Sequence, residues 1–392
     1  MWKKKAAALL LAGLTVLAAV GCGGGGGGGT KKEATNPEQR GRLDVVQQIK
    51  SERTEDLIPQ AQKEGKLVVY SITSRISKAA EGFERKYGIK VETSRMKDFE
   101  LIDRVANEAR AKTPRADVVI CQDSGRVWGD LLAPGFVQNY VPASMLNVVP
   151  PEAQRPMVFA YMNKVIVYNN ETFPDAPPIT NLWQFTEPDW KGRFLFKSPL
   201  QEGINADFLT MLTKPDVAEK LAKAYEDRYQ KKLELTTPNA GYEWIRMVFS
   251  NSVMMGSSDT SMIQSIGVKG QDIRSAGLLS YSKIRYAKTK NLAIAAVDNA
   301  QPLSGFYYPE YMLIANGAKH PAAAKLFIEY LLTEEGFLPW RQDLGTYSAN
   351  PAIRPAEGDR PLSEWAKVLI GDDPQFIHEH RNEVESFVKK YI

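Results

Sequence analysis

Lys66-Leu-Val-Val-Tyr70 is a short apolar β-run, followed by a polar loop at 71–77 and a helix at 78–87 that Gly88 closes. The same alternation repeats downstream. Residues 89–93 read as a second strand. Residues 99–112 read as an amphipathic helix, with Leu101, Val105 and Ala109 at four-residue spacing. Residues 117–121 read as a third strand, and 126–132 begin another helix. Strand, helix, strand, helix, strand predicts a parallel sheet with helices packed on its faces. Upstream, 42–64 reads as one helix.

The apolar stretch 157–168 has high β propensity and reads as a strand that leaves this first lobe. The segment from about 169 to 290 has an alternation of its own, with runs at 193–196, 206–212, 217–229, 243–249, 253–256 and 278–281. Residues 311–315 read as a returning strand, and 321–332 as a helix with Ala324, Phe327, Ile328 and Leu331 on one side. Roughly 350 residues are too many for one core. Two α/β lobes follow, with a cleft between them that opens and closes by hinging. The expected division is 42–165 for the first part of lobe 1 and 166–295 for lobe 2. Residues 296–392 return to complete lobe 1 and add C-terminal helices.

The amino terminus sets the compartment. Met1 to Lys5 holds three lysines, and 6–20 is uncharged and almost wholly apolar. That is too short to span a bilayer, where about 20 residues are needed, and it reads as a secretory signal over 1–21. Leu17-Ala18-Ala19-Val20-Gly21-Cys22 resembles a bacterial lipobox, which implies cleavage before Cys22 and acylation of its sulfur. Seven glycines, Gly23 to Gly29, then open a flexible tether that runs to residue 41. Removal of the signal takes away three lysines and no acid, so the formal charge falls from +4 to +1. The balanced remainder has no basic stripe for nucleic acid. Cys121 is the only other cysteine, so a lipidated Cys22 leaves no disulfide. With only His320, His378 and His380, a histidine-rich metal site is excluded.

Several phrases resemble the bacterial extracellular solute-binding proteins. They are Glu64-Gly-Lys-Leu-Val-Val-Tyr-Ser71, Phe83-Glu-Arg-Lys-Tyr-Gly-Ile-Lys-Val91, Arg115-Ala-Asp-Val-Val119, Pro188-Asp-Trp-Lys-Gly-Arg193 and the run from Gly317 to Gly336. They cover most of 60–345 in the family's order, and the branch they are most similar to contains ferric-iron binding proteins. The resemblance implies the two-lobed type II periplasmic-binding architecture with an interlobe ligand cleft. It also implies a lipoprotein of the cell envelope that delivers a ligand to an ABC permease, with membrane lipid as the partner of acylated Cys22. The protein is expected to act as a monomer and to need no cofactor, ferric iron being a possible transported ligand.

Ferric-binding members use a histidine after the first strand, an acid after the third and two adjacent tyrosines in the second lobe. Here Tyr70-Ser71-Ile72-Thr73-Ser74-Arg75 has no histidine, and Gln122 stands where the acid aligns. Met255-Gly256-Ser257-Ser258-Asp259-Thr260 has no tyrosine. The pair Tyr307-Tyr308 exists but lies nearer the returning strand.

In open α/β sheets ligands bind beyond the carboxyl ends of the strands. Three polar loops occupy that place: Ser71, Thr73, Ser74 and Arg75; Gln122, Asp123 and Ser124; and Ser257, Ser258 and Asp259. Hydroxyls and free N–H groups at helix starts, with Arg75 as a planar fork, suit a carboxylate, phosphonate or phosphate ester. Ordinary N-capping explains the same residue types. Tyr307 and Tyr308 are further candidates to line the cleft, whereas Trp128 reads as core. Asp298, Glu310 and the charges of 381–390 read as solvated surface.

The leading function is capture of a small anion for import. Ferric iron is the alternative within that class, and a sensor presenting its ligand to a receptor is another. An enzyme would need Cys121 as nucleophile, or Asp123 with Asp259 as an acid–base pair. No Gly-x-Ser-x-Gly elbow, phosphate loop, His-Glu-x-x-His or Cys-x-x-Cys motif supports either.

Overall fold

The computed structural model describes residues 46–392. The expected signal peptide, Cys22, the expected glycine tether and the start of the helix expected over 42–64 lie outside the described residues. That expected helix is shorter than the sequence reading. Gln48–Ile49 is instead a strand, β1, paired with a later one, and the helix runs only over Thr54–Glu64.

Lobe 1 follows the strand–helix alternation closely. Its strands are β2 (Lys66–Ser71), β3 (Lys90–Arg95), β4 (Val118–Cys121) and β5 (Val137–Tyr140). The connecting helices are Arg75–Tyr87, ended by Gly88 in the left-handed conformation (φ 72), and Asp98–Arg110. β3, β2 and β4 are parallel. Two long strands then leave the lobe, β6 (Val158–Tyr168) outward and β11 (Gly305–Ala315) back. β11 is antiparallel to β4, so the sheet is mixed rather than wholly parallel.

Lobe 2 lies between those two strands. It holds β7 (Phe194–Lys197), β8 (Met254–Gly256), β9 (Ala276–Ser280) and the short β10 (Ala295–Ala296). Beyond β11 come β12 (Thr346–Ser348) and β13 (Ile370–Gly371). One sheet path, β3-β2-β4-β11-β6-β9-β7-β8, runs through both lobes. β6 and β11 form its middle, with Val165 opposite Gly305 at one end and a register shift between Glu310 and Tyr311 at the other.

The apolar residues divide accordingly. One core joins residues from Val46 to Ala160 with those from Tyr311 to Ile353. A second joins Ile166 to Tyr308 and includes Trp183, Trp244 and Phe196. Strand alternation puts Val165 and Val167 on the opposite face of the lobe-2 sheet, in a third cluster with Leu279, Tyr347 and Trp365. The C-terminal helix Pro374–Val388 places Val384 and Val388 in the second core, so it packs against lobe 2.

Helix packing in lobe 2 leaves no room at one glycine. A Cβ on Gly241, in the first turn of Ala240–Ser250, would come within 2.1 Å of the Leu212 carbonyl oxygen. Gly241→Ala is therefore expected to destabilise the fold by about 1–3 kcal/mol. Urea unfolding checks this, and an unchanged midpoint would contradict the close approach.

Candidate functional site

The carboxyl ends of β2, β3 and β4 in lobe 1 face those of β7, β8 and β9 in lobe 2, with β6 and β11 as the floor between them. Polar groups with few partners gather at this seam.

From lobe 1 comes Arg75, at the start of its helix. It pairs with the Asp343 carboxylate. Arg285, in the turn after β9 of lobe 2, approaches the same carboxylate at 3.6 Å. About a third of each arginine side chain is exposed, at 32% and 34%. Burial, and next the Arg285 charge, pull the Arg75 guanidinium below its ordinary value, while Glu310 acts in the opposite sense.

The floor carries two groups outside the expected site residues. Lys164 on β6 is buried, donates to Asn205 Oδ1 at 2.6 Å and stands 3.7 Å from Asp259. Burial lowers its pKa and Asp259 partly restores it. Glu310 on β11 is fully buried, and its carboxylate oxygens have no well-formed hydrogen bond, the Gln122 amide being the one side chain near enough to offer one. Burial, then the Asp98 charge, push it up to about 8. The solvated surface position expected for Glu310 is thus corrected. Strand pairing extends back from Tyr311 to Gly305 and draws Glu310 into the sheet. Asp98, half-buried, accepts from the backbone N–H groups of Gln122 and Asp123 and is pushed up to about 7, chiefly by burial.

The residues named from sequence divide into two groups. Arg75, Gln122 and Asp259 reach the seam. Gln122 lies on the Met162 sulfur at 3.0 Å, and Asp259 leaves Oδ1 unpartnered while its other oxygen accepts from Ser280. Ser258 caps its helix through Ser261, and Ser257 and Ser74 are exposed. The remaining ones serve the fold. Ser71 is buried and accepts from the Thr73 N–H, and Thr73 in turn accepts from the Arg75 N–H. Ser124 is buried on Asp372 and Tyr311. Asp123 caps the short helix Ser124–Arg126 and pairs with Arg381 at 2.6 Å. Tyr308 lies in the lobe-2 core beside Phe306, and Tyr307 packs edge-on against Tyr161. Trp128 is core, as expected.

Arg381 was expected to be solvated. Its side chain is only 15% exposed, because the C-terminal helix wedges it between Asp123 of lobe 1 and Asp207 of lobe 2. Asp98, Lys164, Arg285, Glu310 and Asp343 were missed as site residues. One signal was present: Asn163-Lys164 is a polar pair inside an otherwise apolar strand run.

Cys121 is fully buried, and burial together with Asp98, Glu310 and Asp123 raises its thiol well above the ordinary value, so it presents no thiolate. Among the described residues no group of three or more His, Cys, Asp or Glu side chains could hold a metal ion. No described helix is long and apolar enough to cross a membrane.

Residues 68–343 match the family of bacterial extracellular solute-binding proteins. The chain belongs to that family. No curated protein sequence matches it. Solved structures similar to this solute-binding protein include iron-bound HitA from Pseudomonas aeruginosa, 19% identical with a TM-score of 0.62 over 83% of this chain and 99% of that one. The apo ferric ion-binding protein A of Pasteurella haemolytica is 16% identical, with a TM-score of 0.65 over 83% and 98%. AgtB of Agrobacterium tumefaciens R10 in complex with agropinic acid is 16% identical, with a TM-score of 0.58 over 84% and 98%. At these identities the likeness establishes the two-lobed α/β fold of this solute-binding protein and nothing about its ligand.

Proposed function

We propose that this protein is the capture subunit of an ABC importer, tethered through acylated Cys22. On this reading its cleft closes on a small anion such as an organic acid, a phosphonate or a phosphate ester. The observation that carries the reading is the convergence of Arg75 and Arg285, one from each lobe, on the single carboxylate of Asp343. A ligand carboxylate or phosphonate can take the place of that carboxylate between the two guanidinium groups, and it engages both arginines only when the lobes meet. Closure and recognition are then one event, which is what a permease needs in order to distinguish loaded from empty carrier.

Thermal-shift screening of organic acids, phosphonates and phosphate esters should find a stabilising anion, worth about 2.7 kcal/mol at a hundredfold excess over Kd. Arg75→Ala and Arg285→Ala should each weaken that anion about tenfold or more in calorimetry, because each removes a charge-assisted contact. A screen in which only cationic compounds stabilise the protein would defeat the proposal.

Ferric iron is the second reading. Several structural neighbours are described as ferric-iron binders, and Asp98 and Glu310 supply hard oxygen atoms at the seam. Against it, Tyr308 is locked in the lobe-2 core. Added ferric salt should therefore give no visible tyrosinate band, and a band would favour iron.

A further inference from the structure

Glu310 occupies the point where the paired strands change register, Glu310 facing Ala160 and Tyr311 facing Val158. It has no exposed surface, and its carboxylate oxygens have no partner beyond the Gln122 amide, which is itself drawn to the Met162 sulfur. The groups that face it are Arg75 and Asp98 from the starts of two lobe-1 helices, Gln122 from the end of β4, Cys121 from β4 itself, and Tyr308 from its own strand β11. None of them neutralises it by direct contact. Arg75 is committed to Asp343, the Gln122 amide lies on the Met162 sulfur, and Asp98 is an acid. Asp259 of lobe 2 also leaves one buried oxygen unpartnered, and Tyr308 feels both Asp259 and Glu310. Buried acceptors without donors are costly, and proteins keep them where something arrives to satisfy them.

We propose that the ligand is zwitterionic: beside the anion held by Arg75 and Arg285 it carries an amine, and Glu310 is the group that receives it. This rests on the anion reading above and narrows it to amino-acid-like and aminophosphonate-like solutes. In the empty protein Glu310 keeps a proton at neutral pH. Entry of an ammonium group forms the ion pair and sends that proton to solvent. Gln122 and the other side chains that cover Glu310 swing aside as the lobes part.

Matched probes test this in wild-type protein by calorimetry: 2-aminoethylphosphonate against propylphosphonate, 4-aminobutyrate against pentanoate, and glutamate against 2-methylglutarate. In at least one pair the aminated member should bind about tenfold tighter or more. Titrations at pH 7 in buffers of different ionisation enthalpy should show proton release for that member alone. Glu310→Gln should abolish both the preference and the proton release. Equal binding within every pair overturns the amine assignment and leaves the anion reading intact. Absence of binding by all six probes overturns the amine assignment, and if the thermal-shift screen also finds no stabilising anion, the anion reading falls with it. The wild-type comparison needs no variant, so a folding defect in Glu310→Gln would not obscure the result.

Discussion

Arg381→Met should lower the stability of the protein by about 3–5 kcal/mol. Arg381 Nη1 lies 2.6 Å from Asp123 and 3.3 Å from Asp207, whose side chains are 5% and 0% exposed, and its Nε lies 2.8 Å from Glu385. Burial, and next the Asp123 charge, push the Asp207 carboxyl well up, while Arg381 holds it down. Taking the guanidinium away leaves two buried acids facing each other with no cation, the costly half of a broken buried pair. Methionine preserves much of the side-chain volume, so the loss reports charge rather than a cavity. Urea unfolding followed by circular dichroism measures it. A loss below 1 kcal/mol would mean that the acids are satisfied elsewhere.

The second large effect is a pH dependence. Glu310 is pushed from an ordinary 4.5 up to about 8, and Asp98 from 3.8 to about 7. The folded protein therefore holds these protons more tightly than the unfolded chain. Unfolded Glu310 releases its proton near pH 4.5 and the folded residue releases it near 8, so stability falls across that interval as pH rises. At about 1.36 kcal/mol for each pKa unit, Glu310 alone costs on the order of 5 kcal/mol above pH 8. Glu310→Gln, which cannot ionise, should match wild type near pH 4 and exceed it by several kcal/mol at pH 8.5 in the absence of ligand. Parallel stability curves for the two proteins from pH 4 to 8.5 would contradict the burial of an unpaired carboxyl.

Much of lobe 1 was legible in the sequence because its signals are local. Apolar runs such as Lys66 to Tyr70, a helix stop at Gly88 and a four-residue apolar spacing each act within one turn or strand. Arg75 and Asp259 could be named for the site because a polar loop at a strand end is also a local pattern. Glu310 and Arg381 were misjudged because their burial is not local. Glu310 follows Pro309 and looks like a turn residue until β6 pairs alongside it. Arg381 belongs to a charged string that looks solvated until helices from both lobes close over it. Arg285 and Asp343 come together only through tertiary packing, which no spacing in the chain encodes.

Val165 and Gly305 face each other across the central strand pair, so the stretch between them leaves and rejoins the rest of the chain at one narrow doorway. An inserted module with adjacent ends can be exchanged without rerouting the rest. A related lobe grafted at that threshold, with the C-terminal helix recut to fit its new neighbour, would inherit lobe 1 and Arg75 while bringing its own counterpart to Arg285. Selectivity in such a chimera would follow the grafted part.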